Sequence, residues 1–292
     1  MKSLPANCPA WLEKKIIEMG GSISFYDYMN IVLNDAENGY YGSGKAEIGA
    51  KGDFVTSPSL SNDFAFLLAK QIEDWSIEIF NKVNTKNKLI ILEFGAGDGS
   101  LIKGIIEYYL KTNIKILKRI SFKIFELNKG MLAKQNRLLN NFLNEGIDIT
   151  WTNLKEFEKK NFDGIVLAHE VLDAFPVERI QYSNGHLFQQ LVSIDKDKRL
   201  FFQKRALSKG LKKRIDFIEN SLGIKIPPVN APEEWTNELH VDNYQWLKNI
   251  YESLNNGILL VIDYSLEGKR FYSSSKIDGN IVSYNKQQLN NN

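Results

Sequence analysis

Two textures of hydrophobic and polar positions divide the chain. Up to about residue 80 the apolar residues recur at helical spacing, with Trp11, Leu12, Ile16 and Ile17 on one stripe and Phe64, Leu67, Leu68 and Ile72 on another. Between them, residues 37–59 read ENGYYGSGKAEIGAKGDFVTSPS, a loop with five glycines in which Ser57 suits a helix cap and Pro58 the first helical position. Loops of this length are usually functional or mobile.

From residue 89 short apolar strands alternate with amphipathic helices, the pattern of a parallel sheet covered on both faces. LIILEF (89–94) predicts strand one, and a helix follows over 100–110. Strand two is SFKIFE (121–126). Asn128 opens a helix whose Met131, Leu132, Gln135, Leu138, Leu139 and Phe142 share one face. A third strand falls near 147–151 and a fourth at 163–168. Residues 178–206 alternate weakly between turn signals at Ser183-Asn184-Gly185 and Asp195-Lys196-Asp197, which predicts an inserted antiparallel hairpin. A helix over 241–254 stops at Asn255-Asn256-Gly257, and ILLVIDY (258–264) is strand five. The fold class is α/β, a Rossmann-like sheet with N-terminal helices and an inserted hairpin and helical region. The division is an N-terminal helical region with its loop (1–80) and a sheet domain (81–292) with an insertion at about 178–240.

Composition narrows the function. The 292 residues carry a formal charge of +2, so charge alone points to neither a nucleic-acid nor a membrane-surface partner. One cysteine, Cys8, excludes an internal disulfide, and the three histidines have no zinc-ligand spacing, so no metal is expected. No apolar run reaches the ~18 residues of a membrane span, and the first residues read as neither signal nor transit peptide; the expected compartment is cytoplasmic.

The sharpest local signal is Glu93-Phe94-Gly95-Ala96-Gly97-Asp98-Gly99, directly after strand one and before a helix. Glycines there let a ligand approach backbone N–H groups at a helix N-terminus, as in doubly wound folds. A dinucleotide fingerprint needs glycine at position 100, which is Ser100, and a ribose acid roughly 20 residues on, whereas Glu126 lies further away. An acid at the end of strand one, a G-x-G-x-G loop and an acid at the end of strand two fit S-adenosylmethionine better than NAD. Glu93 would orient the methionine ammonium and Glu126 the ribose hydroxyls. Without a ligand, the same residues would make a tight turn with Glu93 as a local cap.

After strand four comes His169-Glu170-Val171-Leu172-Asp173-Ala174-Phe175-Pro176. Strand ends four and one are neighbours in this topology, so Glu170 and Asp173 can face the transferred methyl group. A guanidinium stays protonated in water, and two carboxylates suit its grip and the removal of its proton. The alternative is that each carboxylate caps the following turn.

GYY (39–41), KGDFVTSPSLSNDF (51–64), LEFGAGDGSL (92–101), FELNKGMLAKQ (125–135) and HEVLDAFPV (169–177) occur in order. Together they resemble the MidA-type methyltransferase family, whose mitochondrial members are assembly factors of respiratory complex I and dimethylate an arginine of one of its subunits. The resemblance covers about 22–285 and implies a sheet of strand order 3-2-1-4-5. It implies S-adenosylmethionine as cofactor, with Gly95, Ala96 and Gly97 lining it beside Glu93, and Glu126 and Leu127 at the ribose. It further implies a closing loop at Asp53, Thr56 and Ser57, a place beside the cofactor for His169, and an acceptor pocket bordered by Glu170 and Asp173. Two positions depart from the family: His169 stands where Asn is usual, and Pro58-Ser59 where Pro-Glu is usual. Relatives also continue for roughly a further hundred residues with strands six and seven, so the chain reads as truncated, with strand five an open edge.

The expected function is protein arginine methylation linked to complex I assembly. The expected partner is a protein substrate such as a respiratory dehydrogenase subunit, with self-pairing through strand five as a further expectation. A non-catalytic assembly factor that keeps the fold, and a nicotinamide oxidoreductase, are the competing readings.

Overall fold

The computed structural model describes residues 3–47, 49, 52–53, 61–83, 86–153 and 161–290. In chain order the elements begin with β1 (Ser3–Asn7), α1 (Ala10–Glu18), β2 (Ser22–Ser24), α2 (Phe25–Asn34) and α3 (Asn62–Val83). Then follow β3 (Leu89–Phe94), α4 (Ser100–Thr112), α5 (Ile114–Leu117), β4 (Ile120–Phe125), α6 (Lys129–Asn144), β5 (Ile149–Thr152) and β6 (Phe162–His169). The insertion comprises β7 (Val177–Ser183), β8 (His186–Ile194), β9 (Arg199–Ala206), α7 (Lys209–Leu222) and β10 (Thr236–His240). The chain continues through α8 (Asn243–Ser253), β11 (Leu254–Ile262), α9 (Gly268–Phe271), β12 (Ser283–Asn285) and β13 (Gln288–Asn290).

The strands at 89, 120, 149, 162 and 254 form one wholly parallel sheet in the order β11-β6-β3-β4-β5. Numbered along the chain, that is the expected 3-2-1-4-5. β3 lies at its centre, and its apolar run is buried because both faces are covered. Leu89 and Ile91 pack among Ile72 of α3 and Ile102, Ile105 and Tyr109 of α4. Leu92 and Phe94 pack on the opposite face with Val166, Trp246 and Ile250. Each such side chain removed from water contributes about 1.5–3 kcal/mol, so these two rows fix which residues of the strand face each helical layer. Not every residue of the predicted helical stripes goes inside. Leu12, Ile16, Leu68 and Ile72 are buried, whereas Ile17 and Leu67 sit one position round the helix and are exposed.

The inserted segment is larger than a hairpin. It is an antiparallel sheet in the order β1-β9-β8-β7-β10, with β2 also pairing β8. The predicted turn at Asn184-Gly185 is present, both residues at positive φ (49° and 78°), which matches the twist of a two-residue hairpin. The N-terminal segment therefore supplies two strands that helical periodicity could not reveal, since each pairs with partners far along the chain. The tail after 266, which reads as merely polar in sequence, also docks on this sheet. Trp235 Nε1 donates to the Ser273 carbonyl at 3.0 Å, Asn237 Nδ2 to the Phe271 carbonyl at 3.0 Å, and the Asn280 N–H to Glu238 Oε2 at 2.8 Å.

Candidate functional site

The chain leaves β3 through three left-handed glycines, Gly95 (φ 59°), Gly97 (φ 55°) and Gly99 (φ 95°), before α4 begins. Asp98 Oδ1 accepts the Ser100 N–H at 3.0 Å across Gly99, the residue at the helix N-cap. Gly95 is required twice over. A Cβ there would adopt a conformation that L-residues avoid and would stand 2.5 Å from Cγ2 of Val171. Just before the loop Glu93 is 3% exposed, and its Oε2 has no hydrogen-bond partner. Burial above all, then the charges of Asp98 and Glu126, raise its carboxyl to about 8. A buried carboxylate with an unpaired oxygen beside open glycine backbone suits a cationic group, and no cation of the described residues fills that role.

Glu126 follows β4, the next strand over. Its Oε1 accepts the Asn128 N–H at 2.8 Å and its Oε2 accepts Gln135 Nε2 at 2.9 Å. The same Nε2 donates to the Gly97 carbonyl at 2.9 Å, while Gln135 Oε1 accepts Trp151 Nε1 at 2.9 Å. Gln135 thus ties the ends of β3, β4 and β5 together from inside α6. Burial raises the Glu126 carboxyl and these hydrogen bonds pull it back. A carboxylate at this strand end is an acceptor of the kind that the hydroxyls of a vicinal diol use. The segment carrying Gly42 and Gly44 closes against the start of α6, where Gly130 N–H donates to the Gly42 carbonyl at 3.3 Å and a Cβ on Gly44 would meet Gly130 Cα at 3.0 Å.

On the other side of β3 the end of β6 carries His169, Glu170 and Asp173. His169 lies against Phe64, ring centroids 5.1 Å apart, with Nε2 3.9 Å from Glu170 Oε1; burial lowers its pKa, so it is neutral near pH 7. Glu170 occupies the left-handed region (φ 50°), rare for a non-glycine residue. Burial, then Asp173 and Asp263, raise its carboxyl to about 7; burial and Asp263 raise that of Asp173 to about 6. Tyr41 faces the same pair: burial, then the charges of Asp173 and Glu170, push its phenol upward.

Of the other expected site residues, Ala96 is buried inside the glycine loop and Leu127 is 73% exposed beside Glu126. Asp53 is held by Tyr40, whose hydroxyl donates at 2.8 Å, and by the turn between β12 and β13, where the Lys286 N–H donates to Asp53 Oδ1 at 3.0 Å. Thr56 and Ser57, with the helix expected at Pro58, lie outside the described residues. Sequence reasoning passed over Gln135, Tyr41 and Asp263. A polar residue in an apolar helical stripe marks Gln135, and Asp263 is an acid at a strand end, like Glu93 and Glu126. Two open cavities, of about 530 and 590 Å³, lie on the inserted sheet and at the end of α7, away from the glycine loop.

A five-stranded parallel sheet in this order, with a glycine loop after its first strand and an acid after its second, is the class I methyltransferase fold. A family described as "Putative S-adenosyl-L-methionine-dependent methyltransferase" matches residues 71–292, and the chain belongs to it. The chain is 31% identical over 201 residues to the mitochondrial protein arginine methyltransferase NDUFAF7 of Danio rerio, covering 63% of this chain and 46% of that protein. Against the mitochondrial human protein of the same name identity is 27%, covering 61% and 43% respectively. The chain thus spans about half the length of the curated relatives it matches. A Burkholderia thailandensis protein crystallised with S-adenosyl-homocysteine superposes with a TM-score of 0.77 at 25% identity, over 96% of this chain and 68% of that one. The mitochondrial relatives overturn the expected cytoplasmic compartment, which rested on the lack of a membrane-spanning apolar run and of a signal or transit pattern in the first residues.

Proposed function

We propose that the chain transfers a methyl group from S-adenosylmethionine to an arginine of a protein substrate. The carrying observation is the convergence of three strand ends on one edge: Glu126 after β4, Glu93 with the glycine loop at β3, and Glu170 with Asp173 after β6. When bound, S-adenosylmethionine supplies an electrophilic methyl on a sulfonium. On this reading Glu93 holds the ammonium, the backbone of Gly95, Ala96 and Gly97 admits the methionine portion, and Glu126 takes the ribose hydroxyls beside the apolar surface of Leu127. His169 lines the cofactor, and Asp53, tethered through Tyr40, borders it.

Glu170 and Asp173 grip the guanidinium by charge-assisted hydrogen bonds, and Glu170 takes the proton that the nitrogen gives up on methylation. Most of the rate gain comes from holding the acceptor nitrogen in line at near-contact distance in a site closed to water. The relatives' names support an arginine acceptor; the finer reading, a subunit of a respiratory NADH dehydrogenase as substrate, rests on the resemblance to the MidA-type family. The test is transfer of a labelled methyl group from S-adenosylmethionine to arginine-bearing peptides of such subunits, with mass spectrometry locating the label. Label on an arginine supports the proposal. Label on lysine or carboxylate side chains contradicts the acceptor assignment, and tight cofactor binding without transfer to any arginine favours the assembly-factor reading.

A further inference from the structure

The turn that carries Glu170 and Asp173 is held from the neighbouring strand. β6 and β11 run in parallel register up to His169 opposite Ile262, and the pairing continues one step further, where the Glu170 N–H donates to the Ile262 carbonyl at 2.8 Å. The next residue of that strand end is Asp263. Its Oδ2 accepts the N–H of Leu172 at 2.8 Å and of Asp173 at 3.2 Å, and its Oδ1 accepts the Tyr264 N–H at 2.8 Å. Amides that converge on one oxygen are held most strongly when that oxygen is anionic. The left-handed backbone of Glu170 is strained for a residue with a side chain and persists only where its surroundings over-determine it. The contacts of Ile262 and Asp263 supply that constraint.

Building on the methyl-transfer reading, we propose that Asp263 is the positioning residue of the acceptor pocket, clamping the turn so that Glu170 and Asp173 present their carboxylates to a cationic side chain. Asp263 touches no reacting atom; it acts through the turn and through its charge. The titratable groups that feel its charge are His169, Glu170 and Asp173 at the end of β6 and His240 at the end of β10; Tyr41 faces Glu170 and Asp173, and Arg214 faces His240. Its negative charge adds to burial in holding the Glu170 and Asp173 carboxyls above their ordinary range. A group that merely filled space there would hold the turn without this effect.

The experiment compares Asp263→Asn, which keeps an oxygen acceptor of the same shape and removes the charge, with Asp263→Ala, which removes both. Glutamate carboxyl carbons are labelled with 13C, the Glu170 resonance is assigned by its loss in Glu170→Gln, and it is titrated by NMR. S-adenosyl-homocysteine binding reports that the cofactor side is intact. In Asp263→Asn the Glu170 midpoint should fall toward the ordinary carboxylate range while S-adenosyl-homocysteine affinity stays within a few fold. In Asp263→Ala kcat for methyl transfer should drop by roughly tenfold or more with the cofactor KM little changed, as misplacement of a reacting group dictates. An unmoved Glu170 midpoint in folded Asp263→Asn protein overturns the inference, whether or not methyl transfer is seen. Absence of transfer by the unaltered chain overturns the activity alone, and the titration still decides the role of Asp263.

Discussion

Gln135 Nε2 stands 2.9 Å from Glu126 Oε2, and the same nitrogen stands 2.9 Å from the Gly97 carbonyl oxygen. One buried amide therefore sets the distance between the Glu126 carboxyl and the glycine loop. Gln135→Leu should weaken S-adenosyl-homocysteine binding about tenfold, the value of a charge-assisted hydrogen bond of ~1.5 kcal/mol. It should also destabilise the fold by about 1–3 kcal/mol, because the Trp151 N–H loses its acceptor. Calorimetric titration and chemical unfolding measure the two effects; unchanged affinity would show that Gln135 serves packing only.

Glu93 links binding to pH. Its carboxyl, raised to about 8, is protonated in the free chain at neutral pH and must ionise to hold an ammonium. Cofactor binding at pH 7 should therefore release close to one proton, seen as a dependence of the binding enthalpy on buffer ionisation enthalpy. The same shift sets the sign for stability. The favourable contribution of protonated Glu93 is fully present below the unfolded value near 4.5 and is lost as pH rises through about 8. Glu93→Gln should thus gain stability relative to the parent between pH 5 and pH 8 while losing cofactor affinity.

At Gly95 the constraint is steric. Gly95→Ala places a methyl group 2.5 Å from Val171 Cγ2 at a φ of 59° and should lower stability by roughly 1–3 kcal/mol. Adding Val171→Ala should recover the clash component and leave the backbone strain. A thermal melt of the single and double variants separates the two, and a Gly95→Ala protein as stable as the parent would contradict the loop geometry.

On the acceptor side, Glu170 is raised to about 7, so methyl transfer should increase as pH rises through that value and Glu170 loses its proton. Glu170→Gln should abolish this limb and reduce kcat by about 10² or more. Asp173→Asn should keep the limb, displaced to lower pH because a neighbouring negative charge is gone. A pH–rate profile of Glu170→Gln identical in shape to that of the parent would remove Glu170 from the chemistry.

Much of this was legible in the sequence because it is local. The apolar run 89–94 buried on both faces, the glycines that follow it and the acid at 126 each carry their own signal, and they place the parallel sheet and its cofactor edge. What escaped depends on distant partners. β1 and β2 exist as strands only because β9 and β8 lie beside them, and the tail after 266 is ordered by Trp235, Asn237 and Glu238. Asp263 reads as the polar end of a strand, and its contacts emerge only when parallel pairing brings it to the 170–173 turn.

The most direct test of the central claim is titration of S-adenosyl-homocysteine into the folded chain and into its Glu126→Ala variant. Saturable one-to-one binding by the chain, weakened at least tenfold in a variant with an unchanged melt, is the predicted result. A folded chain that binds no S-adenosyl-homocysteine, or a Glu126→Ala protein that binds it equally well, would contradict the account.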